Sequence, residues 1–171
     1  MRPWRASDRA PFAALNADPE VMRHFPGTLT QPESDALAER IGQELAREGW
    51  GLFALEHTAS GAFLGFAGIA RVSFDAHFTP AVEVGWRLTR DAWGQGYATE
   101  AARAAVAFGF ERLGLDEIVA FAVPANVRSI AVMRRLGMTH DPGDDFDHPR
   151  LPAGSPLRRH VLYRLRPHGD A

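Results

Sequence analysis

Two residue types are missing from the 171-residue chain: there is no cysteine, and all 19 basic residues are arginine, leaving no lysine. The first absence excludes disulfides, a thiolate nucleophile and a cysteine zinc site. The second excludes a Schiff-base lysine, a lysine-bound cofactor and the phosphate-gripping lysine of a P-loop. Anionic ligands must therefore be held by backbone N–H groups and guanidinium, and no acyl-cysteine intermediate can form. Strong charge bias is lacking too. With 21 acidic residues the net charge is −2, which favours neither nucleic acid nor an anionic membrane as partner. No apolar run reaches membrane-span length, and Met1-Arg-Pro-Trp4-Arg5 has no signal-peptide core, so a cytoplasmic protein is expected. No repeat divides the chain, and 46% apolar residues suffice to build one domain over 1–171.

The hydrophobic patterning gives an order of elements. Ser7-Asp8 offers a helix cap before Phe12 and Leu15, with a stop near Asn16-Ala17-Asp18-Pro19, and residues 19–33 read as a loop. Ser34 is expected to cap a second helix, with Leu37, Ile41 and Leu45 along one stripe and Gly49 at its end. Strands are expected at 50–56 and 63–72, joined by a hairpin turn at 57–61, and at 81–88. A helix over 97–113, a strand over 116–123 and a helix over 126–136 follow, with Asn126 as cap and Gly137 as stop. The 141–155 stretch reads as a long loop before a last strand at Arg159–Leu165. This is a mixed α/β pattern with an antiparallel first half and a strand-helix-strand unit in the second.

Two places carry chemistry. Along 81–88, Val82, Val84, Trp86 and Leu88 alternate with Glu83, Gly85 and Arg87, so one face is apolar and the other carries a carboxyl, bare backbone and a guanidinium. The strand then runs through Gly94-Gln95-Gly96 into a helix. Such a junction presents unpaired N–H groups and the positive end of a helix dipole, which together bind phosphate. The same glycines are also compatible with a simple turn. A dinucleotide fingerprint would need glycine where Thr99 stands.

Glu83-Val-Gly-Trp-Arg-Leu, then Trp93-Gly-Gln-Gly-Tyr-Ala-Thr-Glu-Ala101, then Asn126-Val-Arg-Ser129 through Arg135-Leu-Gly-Met138, resemble the GNAT acyl-CoA N-acyltransferase superfamily in order and spacing. Within it the chain is most similar to the RimJ/RimL-like branch, the ribosomal-protein N-acetyltransferases. The resemblance covers roughly 50–165, and Arg2-Pro-Trp4 resembles the end of that family's first strand. It implies a mostly antiparallel sheet flanked by helices with a strand-turn-helix acyl-CoA site. It also implies that the backbone of Gly94, Gln95, Gly96, Tyr97, Ala98 and Thr99 holds the coenzyme A pyrophosphate. Trp86, Arg87 and Leu88 would pair with the pantetheine arm, Asn126 would contact it, and Ser129 would stand beside the thioester sulfur. Arg134, with Arg135, would reach the 3′-phosphate or simply complement the helix end. The chain departs from the superfamily pattern at Asp91, where glutamine or arginine is usual, and at Met133, where many members carry a tyrosine acid.

The implied reaction is acetyl transfer from acetyl-CoA, as cosubstrate, to a primary amine by direct attack in a ternary complex. Glu83 is the expected base, because a carboxyl beside the thioester can take a proton from an incoming ammonium directly or through water. His24, His148 and His160 are rivals for that role. With Met133 unable to donate a proton, the acid role shifts to Ser129, with Tyr163 as a more distant candidate. Thiolate leaves readily, so a weak acid is enough. His148 and His160 lack a third partner nearby, and the 144–150 stretch does not fit a calcium loop, so no metal is expected. That stretch reads either as a loop closing the acceptor side or as a solvated loop. The acceptor is a peptide N-terminus or a small molecule, and the protein a monomer or homodimer. A non-catalytic acyl-CoA-binding or regulatory module, or an acyltransferase using another acyl-CoA donor, are the alternatives.

Overall fold

The computed structural model describes residues 1–167. The first two helices are entered past backbone N–H groups that polar side chains accept from. Asp8 closes a 3-10 turn at Ala6–Asp8 by accepting from the Arg5 N–H at 2.8 Å, and helix α1 (Arg9–Ala17) continues from it. Helix α2 (Gln31–Glu48) begins earlier than the sequence leads one to expect. Its cap is Thr30, which forms a capping box with Glu33, and Pro32 sits in the first turn. Ser34 is instead fully buried, its hydroxyl accepting from the Asn16 amide at 2.9 Å. Gly49 ends α2 in the left-handed region, as expected.

Strands β1 (Leu52–Glu56), β2 (Phe63–Arg71) and β3 (Val82–Leu88) form an antiparallel meander. Helix α3 (Tyr97–Glu111), β4 (Ile118–Ala122), α4 (Val127–Arg135), β5 (Thr139–His140), β6 (Phe146–Asp147) and β7 (Arg159–Leu165) follow. β6 lies in the 141–155 stretch read from sequence as a loop, and β5 lies just before it, where the sequence reading assigns no element. They are two residues each and are defined only by pairing with β7. The seven strands run β1-β2-β3-β4-β7-β5, with β6 on the far part of β7. Among the described residues only β3 and β4 pair in parallel, so the sheet is mostly antiparallel, as the family resemblance implies.

Period-two alternation sorts the two faces of the sheet. Val82, Val84, Ile118, Ala120 and Ile69 pack against Ala102, Ala105 and Val106 of α3 and Ile130 and Met133 of α4. Small residues let α3 lie close: a Cβ added at Gly109 would come within 2.7 Å of Ile118 Cδ1. On the opposite face Phe12 and Leu15 of α1 and Ile41 of α2 pack on Phe66, with Trp4 alongside. A third group on this side of the sheet joins Phe78, Phe146, Val119 and Leu162. Glu83, Gly85 and Arg87 are thereby left between two apolar clusters, on the face away from α3.

Candidate functional site

β3 and β4 meet in register only at Glu83 and Val119. Beyond that pair the strands part, and from Gly85 to Leu88 β3 is paired with β2 alone. A cavity of about 780 Å³ occupies the fork. Its walls are Trp86, Arg87 and Leu88 of β3, the turn into α3, the first turns of α3 and α4, and the 20–25 stretch after α1.

The turn is built to leave donors unused. Gly94 and Gly96 have φ of 73° and 87°, a region that side-chain-bearing residues avoid. The Trp93 indole donates to the Leu88 carbonyl at 2.9 Å, tying the turn to β3, and the Gln95 side chain donates to the Asp91 carbonyl at 2.5 Å. The N-cap Gly96 contributes no side chain, and among the described residues none of the N–H groups from 94 to 99 donates to another group of the protein. Six consecutive amide donors and the positive end of a 15-residue helix thus meet at one place. Gly94, Gly96, Tyr97, Ala98 and Thr99 line the cavity, whereas Gln95 is exposed beside it. Such a cradle fits a polyanion such as a pyrophosphate.

The family model described as acetyltransferase (GNAT) domain matches residues 1–139 of the chain. The chain belongs to the GNAT acetyltransferase family. It is an acetyl-CoA-dependent acyltransferase of the N-acetylating kind. It is similar to the Bacillus subtilis protein YkkB, with 31% identity over 127 residues that make up 74% of this chain and 73% of the relative. It is 33% identical over 133 residues to an FsC-acetyl coenzyme A-N(2)-transacetylase of Aspergillus fumigatus, a match covering 74% of this chain but 56% of that protein. Among solved structures, an acetyltransferase from Agrobacterium tumefaciens superposes with a TM-score of 0.75 at 27% identity, over 96% of this chain and 88% of that one. RimL, the ribosomal L7/L12 alpha-N-protein acetyltransferase solved with coenzyme A, shares the fold with a TM-score of 0.73 at 16% identity, over 96% and 92% of the two chains.

In this GNAT chain α4 starts at the cavity. The Asn126 side chain accepts from the Ser129 N–H at 3.2 Å, so it caps the helix, while the half-buried Ser129 hydroxyl makes no hydrogen bond among the described residues. Both residues line the cavity. Of the two neighbouring arginines, Arg135 lines it and Arg134 does not. Arg103 and Arg128 also line it, though their pattern was not singled out in the sequence; Arg128 stacks over Trp93 at 4.4 Å. For Arg103 the signal is helical spacing, since 96, 99 and 103 share one side of α3.

Glu83 sits at the closed end of the fork, outside the cavity walls but on the same strand face as Arg87, about 13 Å along the chain direction. No ion pair or hydrogen bond holds its carboxyl among the described residues, and burial alone pushes its pKa up to about 7. Arg87 donates to the Asn16 Oδ1 at 2.6 Å, and burial pushes its pKa down to about 10. Of the rival bases, only His24 lines the cavity, and burial lowers its pKa. His148 and His160 stand in the aromatic group around Phe121 and Phe146, with ring centres 5.2 Å apart and both pKa values lowered, chiefly by burial. Tyr163 and Met133 are both buried in the core against α3 and α4, away from the cavity walls. Among the described residues no cluster of three or more candidate metal ligands occurs, and no helix is long and apolar enough to cross a membrane.

Proposed function

We propose that the chain, read over 1–171 as one domain of the RimJ/RimL-like type, transfers acetyl from acetyl-CoA directly to a primary amine. The observation that carries this reading is the run of six unused N–H groups at 94–99, facing a cavity that continues through the fork between β3 and β4. The pyrophosphate would rest on those groups, Arg103, Arg128 and Arg135 would face the remaining phosphate, and Asn126 would hold the pantetheine arm beside the free edge of Trp86, Arg87 and Leu88. The amine nitrogen then bonds to the thioester carbon as the carbon–sulfur bond breaks. Backbone amides of β3 beside the carbonyl take up the oxyanion charge. The proton lost by the ammonium goes to Glu83 through water over Gly85, a position where an added Cβ would have no neighbour within 4 Å. Ser129 or water protonates the departing thiolate.

A thiol-release assay with acetyl-CoA and a panel of amines and N-terminal peptides tests the reaction. Release with at least one acceptor is expected, and tight coenzyme binding without release from any would overturn it in favour of a binding module. Gly96→Val tests the cradle. A side chain at φ 87° costs roughly 1–2 kcal/mol locally and reorients the donors, so a tenfold or greater loss of acetyl-CoA affinity is expected in a folded protein. Unchanged affinity would refute the assignment.

A further inference from the structure

We propose that the acceptor is a small amine that also carries a carboxylate, of amino-acid type, and that Arg87 reads that carboxylate while Glu83 faces the amine. This rests on the acetyl-transfer reading above and names its acceptor class.

The strand face on which both residues stand has an open slot between them. Gly85 is half-buried, yet a Cβ built there would meet no atom within 4 Å. Glu83, Gly85 and Arg87 thus present a carboxyl, a gap and a guanidinium in line. That sequence of charges is the complement of a zwitterion.

Arg87 itself is held in a way that leaves its charge unspent. It makes no ion pair among the described residues. Its one polar partner is a neutral amide, the Oδ1 of Asn16, and Asn16 is fixed in turn by donating to Ser34. The guanidinium lies 4.2 Å from the ring centre of Phe25 and 5.4 Å from that of Phe66. Its Nε is buried without any hydrogen-bond partner. A buried guanidinium with an orphaned donor is a costly arrangement unless something anionic completes it. The planar fork matches the two oxygens of a carboxylate. Phe25, itself 37% exposed, lies over this group on the 20–25 stretch, which also lines the cavity. Arg23 and His24 also line this end of the cavity, and its one carboxylate, Glu20, is 3.6 Å from Arg23. Arg103, Arg128 and Arg135 belong to α3 and α4, at the coenzyme end, so Arg87 is not needed for phosphate.

The test compares matched acceptors: leucine, leucinamide and isoamylamine, with spermidine as a polycation, each at saturating acetyl-CoA. The expected result is a kcat/KM for leucine roughly 10- to 100-fold above that for the amide and the amine, the worth of one charge-assisted pair. Arg87→Gln should collapse that ratio toward one. Asn16→Asp should do the same while keeping Arg87 in place, because the new carboxylate neutralises the guanidinium; the protein's Tm is followed for both variants. Turnover that ignores the carboxylate, prefers spermidine, or keeps its ratio in both variants would overturn the proposal and leave acetyl transfer standing. Absence of thiol release from every acceptor, with no acetyl-CoA binding, would instead remove the reading beneath it.

Discussion

Glu83 carries opposite consequences for chemistry and for stability. Its carboxyl has a pKa near 7 in the folded chain against 4.5 for the ordinary group, because burial penalises the charged form. Under the proposed reading it serves as the base and must be ionised, so kcat/KM is then expected to rise with pH through about 7 and level off above it. For folding the sign reverses. Between pH 4.5 and 7 the folded state binds the proton more tightly than the unfolded state, so stability falls as pH rises through that window. Glu83→Gln should therefore stabilise the fold at pH 8, by up to about 3 kcal/mol, and by little at pH 4.5, while lowering kcat. Urea unfolding at the two pH values, with the rate profile alongside, checks both halves. A variant equally active across the pH range would remove Glu83 from the proton path.

At the scale of elements, the start of α2 separates local from tertiary information. Thr30 and Ser34 are both good capping residue types, and the Thr30-Gln-Pro-Glu33 spacing already contains a capping box. The apolar stripe begins only at Leu37, which draws the predicted cap to the nearer Ser34; the structure gives that serine to Asn16 instead. The two substitutions should behave differently. Thr30→Ala is expected to cost about 1 kcal/mol without touching catalysis. Ser34→Ala leaves the buried Asn16 amide without its partner, costing about 1–3 kcal/mol, and, if Arg87 binds the acceptor as proposed, should raise the acceptor KM because Asn16 accepts from Arg87. Denaturant midpoints and steady-state kinetics distinguish them. Elsewhere the same division holds. The alternation of β3, the Gly94-Gln95-Gly96 junction and the Asn126 cap were legible because each is written in a few adjacent residues. β5 and β6 were not, since two residues have no period, and Arg87's partners were not, since Asn16 and Phe25 come from distant parts of the chain.

The whole molecule is tied together at its first residues. Arg2 exchanges backbone hydrogen bonds of 3.0 Å with Ala54, and its guanidinium spans both oxygens of Asp8, at 2.7 and 2.8 Å, and Glu56 at 2.7 Å. The resemblance of Arg2-Pro-Trp4 to the end of a strand thus appears as a single antiparallel bridge to β1. The Arg2 hydrogen bonds hold the buried Asp8 carboxyl below its ordinary 3.8. Here the unfolded state takes up the proton first, so this contribution is present above pH 3.8 and lost as pH falls through the folded value. Asp8→Asn is expected to cost about 3 kcal/mol at pH 7, with the penalty shrinking below pH 4, as measured by chemical unfolding. The acid limb of stability and the slope set by Glu83 thus come from different places, the β1 edge and the middle of the sheet, and run in opposite directions.

The single register pair between β3 and β4 makes the sheet two plates joined at one corner, β1-β2-β3 and β4-β7-β5. Under the proposed reading the cosubstrate arm is a detachable strand that closes the gap between them. Each catalytic cycle would then assemble and dismantle a stretch of the protein's own secondary structure, so that rigidity would rise and fall with occupancy and the departure of product would be a small, local unfolding.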